Sequence, residues 1–205
     1  MSQIKYRESD SGFSVTIPKP SLHYLDQFIK LKCASDLLKL GIFPNAKEIS
    51  ESIAALTAVR KALGAPRFGD DKVLLLDVGS GVTGRTGVLF AHLTRRTCLS
   101  IDPRLRKDSL AGVTRWQGIK SMIEEFIAPP EWPLVIAVCV HSHAPLQAVW
   151  EAIKGPREKV VVSIPCCVPQ SIQGLEPTTS RNDWGIWSEK REVRVWHESY
   201  PKETG

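Results

Sequence analysis

Residues 73–102, VLLLDVGSGVTGRTGVLFAHLTRRTCLSID, read as strand, glycine-rich turn, helix and strand. Residues 73–76 form an unbroken apolar run, the pattern of a parallel strand buried on both faces, and Asp77 is expected to stop it. Gly79, Ser80, Gly81 and Gly84 then permit a tight turn and a close approach of backbone to a ligand, because glycine has no Cβ and tolerates positive φ. Residues 85–93 follow as a helix whose free N-terminal amides would face that ligand. Residues 97–101 form the second strand, and Asp102 closes it. In a right-handed βαβ unit both strand ends emerge on one edge of the sheet, so Asp102 can accept hydrogen bonds from the two hydroxyls of a ribose. Glycines alone would only shape a loop; the acid at the end of the next strand points to a nucleotide cofactor.

Composition sets modest bounds. A chain of 205 residues, 42% hydrophobic and 24% charged, is ordinary for one globular domain with an extension. It contains no membrane-length apolar run, and the polar start MSQIKYRESDSG lacks the apolar centre of a secretory signal, so an intracellular, cytoplasmic protein is expected. Cys33, Cys98, Cys139, Cys166 and Cys167 neither pair evenly nor form a CxxC spacing, which argues for reduced thiols. The net charge of +5 permits a phosphate-rich partner without requiring one. Arg95, Arg96, Arg104, Arg106 and Lys107 are the local basic clusters; they suit a solvated face better than an RNA contact.

Along the chain, residues 1–20 suit an irregular or extended lead-in. Ser21 can cap a helix running to about Leu40, with Gly41 as its stop. Asn45-Ala46-Lys47-Glu48 approximates a capping box before a second amphipathic helix that Gly64 closes. These N-terminal helices would pack on the sheet or lid the cofactor, with packing preferred. Residues 1–70 are thus a helical extension and residues 71–205 the main domain. Beyond Asp102, residues 113–116 read as a weak strand and 119–127 as a helix. Residues 134–140 form a second buried strand, followed by a helix over 145–153 and a strand over 159–164. Residues 168–183 read as loop, and 184–187 with 192–197 as two strands joined by a short turn, which implies antiparallel pairing. This alternation predicts a doubly wound, mostly parallel sheet covered on both faces. GxSxG and GxxxxGK[ST] are both absent, which weakens hydrolase and phosphate-loop readings.

LLLDVGSGVTG resembles the first motif of the class I S-adenosylmethionine-dependent methyltransferases, and Ser100-Ile101-Asp102 resembles their second. The resemblance covers roughly residues 71–197. It implies a seven-stranded sheet whose last pair is antiparallel, with S-adenosylmethionine as cofactor. It further implies that Asp77, Gly79 and Gly81 border the methionine part, that Asp102 holds the ribose, and that Trp116, Gln117 or Gly118 flank the adenine. Thr83 stands where the family usually has glycine, so the turn is one residue longer. The chain also lacks an Asn-Pro-Pro-Tyr or Asp-Pro-Pro-Tyr sequence after the fourth strand, which leaves the acceptor open between RNA, slightly favoured by the basic clusters, and a small molecule. A non-catalytic methyltransferase-like scaffold or RNA-binding module is the alternative, and a NAD-dependent oxidoreductase a third, disfavoured by the final hairpin.

His141-Ser142-His143 follows the fourth strand of that sheet and Pro165-Cys166-Cys167 the fifth. If those strands are neighbours, His141, His143, Cys166 and Cys167 gather at the carboxyl edge, where open α/β sheets bind ligands. The bland possibility is buried thiols and ordinary loop histidines. A zinc site from the four has suitable ligand types without the familiar spacing. The expectation carried forward is catalytic: His141 or His143 facing the acceptor as general base, with no stoichiometric metal. Methyl transfer asks for little more, because placing the acceptor in line with an activated methyl group does most of the work.

Overall fold

The computed structural model describes residues 5–9, 12–16, 21–64, 72–106, 110, 112–168 and 170–199. Lys107 and the boundary expected at residues 70 and 71 lie outside them. The chain begins with strands β1 (Lys5–Ser9) and β2 (Gly12–Thr16), paired antiparallel where an irregular or extended lead-in was expected. Helices α1 (His23–Ile29), α2 (Ala34–Lys39) and α3 (Ala46–Leu63) follow. Next come β3 (Val73–Val78), α4 (Arg85–Leu93), β4 (Thr97–Ile101) and β5 (Trp116–Ile119). The chain then runs through β6 (Leu134–Val140), α5 (Leu146–Ala152), β7 (Glu158–Ile164), β8 (Thr179–Asn182) and β9 (Glu192–Ser199). None of the described helices is long and apolar enough to cross a membrane.

The main sheet has seven strands in the order β5-β4-β3-β6-β7-β9-β8, parallel except for β9, which pairs antiparallel with both β7 and β8. Alternation along β3 explains its two covered faces. Val73 and Leu75 join Val88, Leu89 and Phe90 of α4 and Ile53, Leu56 and Val59 of α3 in one core. Leu74, Leu76 and Val78 face the other core, with Leu146, Val149 and Ala152 of α5. The doubly wound α/β sheet is therefore the class I methyltransferase arrangement, a parallel sheet ending in an antiparallel pair.

Several local expectations are corrected. The helix expected from Ser21 to Leu40 breaks into α1 and α2, with Leu22 rather than Ser21 at its N-cap. Its buried side chains are Tyr24, Phe28, Ala34 and Leu37, whereas Leu22 and Ile29 are exposed. Residues 119–127 form only a 3-10 turn at Ile123–Glu125, after which Phe126 is extended and Ala128 donates its N–H to the Ala152 carbonyl. The weak strand starts at Trp116, because Arg115 adopts φ 62° and its carbonyl accepts the first ladder bond, from the Cys98 N–H. Asp77 and Val78 continue β3 instead of stopping it.

The edge strand is β8, not residues 184–187. Those residues are diverted to seat the N-terminal helices. The Trp184 carbonyl accepts the Ser21 N–H at 2.8 Å, the Trp187 N–H donates to Ser50 Oγ at 2.9 Å, and Tyr24 Oη donates to Asp183 at 2.6 Å. Capping behaves as read for α3, where the Asn45 side chain accepts the Glu48 N–H at 3.0 Å and Gly64 closes the helix at φ 76°.

Asp77 ties three elements together. It is 2% exposed, and its Oδ2 accepts the Gly87 N–H of α4 at 2.9 Å and the Ser100 hydroxyl of β4 at 3.1 Å. Gly87 is needed for this approach, since a Cβ there would stand 2.4 Å from Ser100 Oγ. A glycine inside a helix ordinarily loses about 1 kcal/mol relative to alanine. Here Gly87→Ala should instead destabilise by about 1–3 kcal/mol through overpacking, and a urea midpoint at or above that of the wild type would contradict this geometry.

Burial raises the Asp77 carboxyl from 3.8 to about 6, against the lowering effect of its two hydrogen bonds. Because the folded state binds this proton more tightly than the unfolded chain, the stabilisation is complete below pH 3.8 and is lost as pH rises through 6. The difference amounts to about 3 kcal/mol. Asp77→Asn should remove it, so urea titrations of variant and wild type from pH 3.5 to 7, roughly spanning that window, should diverge by that amount; parallel curves would contradict the shift.

Candidate functional site

Two adjoining clefts open at the carboxyl edge of β3, β4 and β6. The larger, about 260 Å³, is lined by Val78, Gly79, Asp102, Ser121, Met122 and His143 among others. The smaller, about 160 Å³, is lined by Asp77, Ser80, Gly81, Arg85, Glu48 and Ser52 among others. Gly79, Arg104 and His141 border both. Gly79 sits at φ 66°, and a Cβ there would lie 2.1 Å from Ser142 Oγ, so glycine is what allows the turn after β3 to close against the loop after β6.

Asp102 is 3% exposed at the end of β4. Its Oδ2 accepts the Gly81 N–H at 2.8 Å and its Oδ1 the Arg104 N–H at 2.8 Å, with Arg104 Nε at 3.6 Å. A carboxylate offers about four lone-pair positions, so these contacts leave acceptor capacity toward the larger cleft. The acid therefore braces the glycine turn as well as facing the space beside it.

The structure separates the expected cofactor residues. Asp77, Gly79, Ser80, Gly81 and Asp102 line the clefts. Gly84 does not line either cleft. At φ 58° it precedes α4, and a Cβ there would meet Ser100 Oγ at 2.8 Å and the Trp116 ring at 3.0 Å, so glycine is what lets the turn pack against β4 and β5. Trp116, Gln117 and Gly118 lie within β5 rather than after it, and the Trp116 indole N–H donates to Ser100 Oγ at 2.9 Å behind the turn. The cleft beyond β5 is lined instead by Ser121 and Met122, a consequence of the strand starting later than its apolar pattern implied.

Helix α3 forms a wall that the sequence left unassigned. Glu48 pairs with Arg85 at the start of α4, and Ser52 Oγ lies 3.0 Å from Thr86 Oγ1. Glu51, 1% exposed, has Oε1 2.8 Å from His141 Nε2 and 3.1 Å from Lys47 Nζ. The histidine and carboxylate make this approach without hydrogen-bond alignment, and Ser80 Oγ and Arg85 Nε are also buried without hydrogen-bond partners. Burial lowers the Arg85 guanidinium. His141 itself adopts φ 48°, a strained conformation for a non-glycine residue. A charge pattern i, i+3 on α3 was visible in Glu48 and Glu51, but nothing in it indicated which face met the sheet edge.

The four residues after β6 and β7 divide. His141 turns to Glu51, while His143 Nε2 lies 3.6 Å from Cys167 Sγ, and Cys166 and Cys167 Sγ are 3.7 Å apart. The basic residues divide as well. Arg96 is fully buried, Arg95 precedes β4, and Arg104 and Arg106 follow it, so they stand at opposite ends of that strand rather than on one surface. Cys98 and Cys139 are buried in the sheet, and burial pushes the Cys98 thiol up to about 12 and that of Cys139 higher still.

No family model matches the sequence, and no curated protein does. Solved structures do match the fold. A mutant of MtNAS in complex with S-adenosylmethionine aligns with a TM-score of 0.57 and 12% identity over 88% of this chain and 72% of that one. MtNAS in complex with MTA and tNA aligns with a TM-score of 0.53 and 14% identity over 88% and 70%. An RNA methyltransferase from Salinibacter ruber in complex with S-adenosyl-L-homocysteine has 16% identity over 74% and 96%, with a TM-score of 0.46. Together with the strand order, the two MtNAS likenesses show that the chain has the class I S-adenosylmethionine-dependent methyltransferase fold.

Proposed function

We propose that this protein binds S-adenosylmethionine across the two clefts and transfers its methyl group to a small-molecule acceptor. One observation carries the reading: a larger cleft beside Asp102 and a smaller polar cleft at the N-terminus of α4 meet at Gly79. The residues present fit the cofactor. Met122 and Ile123 offer apolar surface for the adenine, and Asp102 keeps lone pairs for the ribose hydroxyls. Ser80 Oγ and Arg85 Nε, buried and without hydrogen-bond partners, suit the polar methionine end. When bound, the cofactor supplies a methyl group already activated on a sulfonium.

What the chain adds is placement and a proton acceptor. Glu51 positions His141 at the junction of the clefts, and a neutral His141 ring there would take a proton from the acceptor. Lys47 sits on the same carboxylate and tempers its charge. A small acceptor is favoured over RNA because the basic residues do not form one face and α3 encloses the smaller cleft.

Titration calorimetry should show binding of S-adenosylmethionine and S-adenosylhomocysteine and none of NAD. Asp102→Asn should weaken that binding by about 1.5–3 kcal/mol, the range for a hydrogen bond to a charged group. Heat with NAD alone, or an unchanged affinity in the folded variant, would overturn the cofactor assignment.

With labelled methyl groups and cell extract as acceptor source, label should appear in the small-molecule fraction. His141→Ala should lower turnover about 10²- to 10⁴-fold, and Glu51→Gln less, both with cofactor affinity nearly intact. Label in RNA would reverse the acceptor class; binding without any transfer would instead mark a non-catalytic scaffold.

A further inference from the structure

Beside the larger cleft, which His143 also lines, His143, Cys166 and Cys167 form a cluster in which every potential ligand atom lies within 4.8 Å of the others. We propose that these three side chains bind one zinc ion through the His143 imidazole and the Cys166 and Cys167 thiolates, with a fourth position open to an exogenous ligand. This reverses the expectation of a metal-free site, and it stands independently of the cofactor reading.

Distance is the first support. A tetrahedral zinc ion with Zn–S of about 2.3 Å and Zn–N of about 2.0–2.1 Å holds two sulfurs about 3.8 Å apart and a sulfur and nitrogen about 3.6 Å apart. The separations here are 3.7 Å between Cys166 and Cys167 Sγ and 3.6 Å between Cys167 Sγ and His143 Nε2. Two edges of the coordination polyhedron are thus already in place. Thiolate and imidazole donors are the set that zinc prefers over magnesium or calcium.

Fixation of the two segments is the second. β6 and β7 are paired in register up to Val140 and Ile164, so the histidine loop and the cysteine pair leave the sheet side by side. Gln170, 5% exposed, then clips them together. Its Nε2 donates to the Ser142 carbonyl at 2.6 Å and the Ala144 carbonyl at 3.2 Å, on either side of His143, while its Oε1 accepts the Ser163 hydroxyl at 3.0 Å. Arg194 Nη1 holds the Gln170 carbonyl at 3.0 Å. A buried amide spent on fixing the backbone around one histidine is a device that pre-organises ligands.

Exposure is the third. Cys98 and Cys139 are sealed in the core with raised thiols, whereas Cys167 and His143 are exposed and Cys166 is half-buried. A cation can therefore reach the cluster. Three protein ligands with an accessible fourth position are the arrangement of catalytic rather than structural zinc, and His143 also lines the larger cleft. The exogenous ligand fitting that position is a soft or anionic group, such as a thiol that loses its proton on coordination.

The test uses the full chain with thiols kept reduced by a phosphine and no adenosyl ligand present, so its failure is separate from failure of the cofactor reading. Cobalt(II) is the spectroscopic probe, and zinc is then titrated in competition. The wild type should take up one cobalt per chain, with thiolate-to-cobalt charge-transfer absorption and the intense visible bands of tetrahedral coordination, both abolished by one equivalent of zinc. Cys166→Ser, Cys167→Ser and His143→Ala should each lower zinc affinity by more than the roughly 10- to 100-fold effect of disturbing a residue that merely orients a ligand. His141→Ala should leave it unchanged. Circular dichroism confirms that each variant is folded. Absence of the charge-transfer band in the wild type, its survival in the folded Cys166→Ser/Cys167→Ser double variant, or its loss in His141→Ala would overturn the site.

Discussion

A buried carboxylate is the constraint around which this fold is assembled. Asp77 sits on the face of β3 that meets α3 and α4, where Val73 and Leu75 are otherwise surrounded by apolar side chains. Burying a carboxyl group there is unfavourable without hydrogen bonds, and the two that offset part of that cost come from different elements, the Gly87 N–H and the Ser100 hydroxyl. Satisfying Asp77 therefore fixes how far α4 stands from the sheet and how β4 lies beside β3. Ser100 also receives the Trp116 indole N–H, which extends the same network to β5. The glycines at 84 and 87 answer to this packing as much as to any ligand.

Once that network is set, the edge of the sheet has its shape. Gly79 closes against Ser142 and brings the turn after β3 to the loop after β6. Asp102 braces Gly81 from the other side. Helix α3 completes the enclosure with Glu48 on Arg85 and Glu51 on His141. The N-terminal segment is thus part of the wall of the candidate site, and it is held there by Trp184 and Trp187, whose backbone groups bond to Ser21 and Ser50.

The carboxyl edge carries two kinds of chemistry a few residues apart. His141 is drawn toward a carboxylate on α3, and His143 toward two thiols beyond β7. Alternation along the loop accounts for the split, with the buried Ser142 between them anchoring it to Gly79 and Gln170. The two imidazoles thus answer to different partners, which keeps the proton acceptor proposed at His141 apart from the zinc ligand proposed at His143.

The sequence alone determined the parts that depend on local pattern. The unbroken apolar run over 134–140 and the valine-rich stretch over 159–164 suit strands buried on both faces of a parallel sheet, and β6 and β7 formed there. The Asn45 cap, the Gly64 stop and the boundaries of α4 and β4 were equally legible, because capping and turn chemistry act between neighbours in sequence. Tertiary structure decided what depends on partners distant in the chain. Residues 184–187 have strand-like composition, yet Trp184 and Trp187 bond to N-terminal residues more than a hundred positions away, and Gly185 and Ile186 turn back to Asp183. Ile119 and Ile127 share helical spacing, but Ile127 finds no core to enter and remains exposed. Arg96 reads as a surface charge and is fully buried. Glu51 reads as one of several acids on α3, and only the packing of that helix over β6 and β7 sets it against His141.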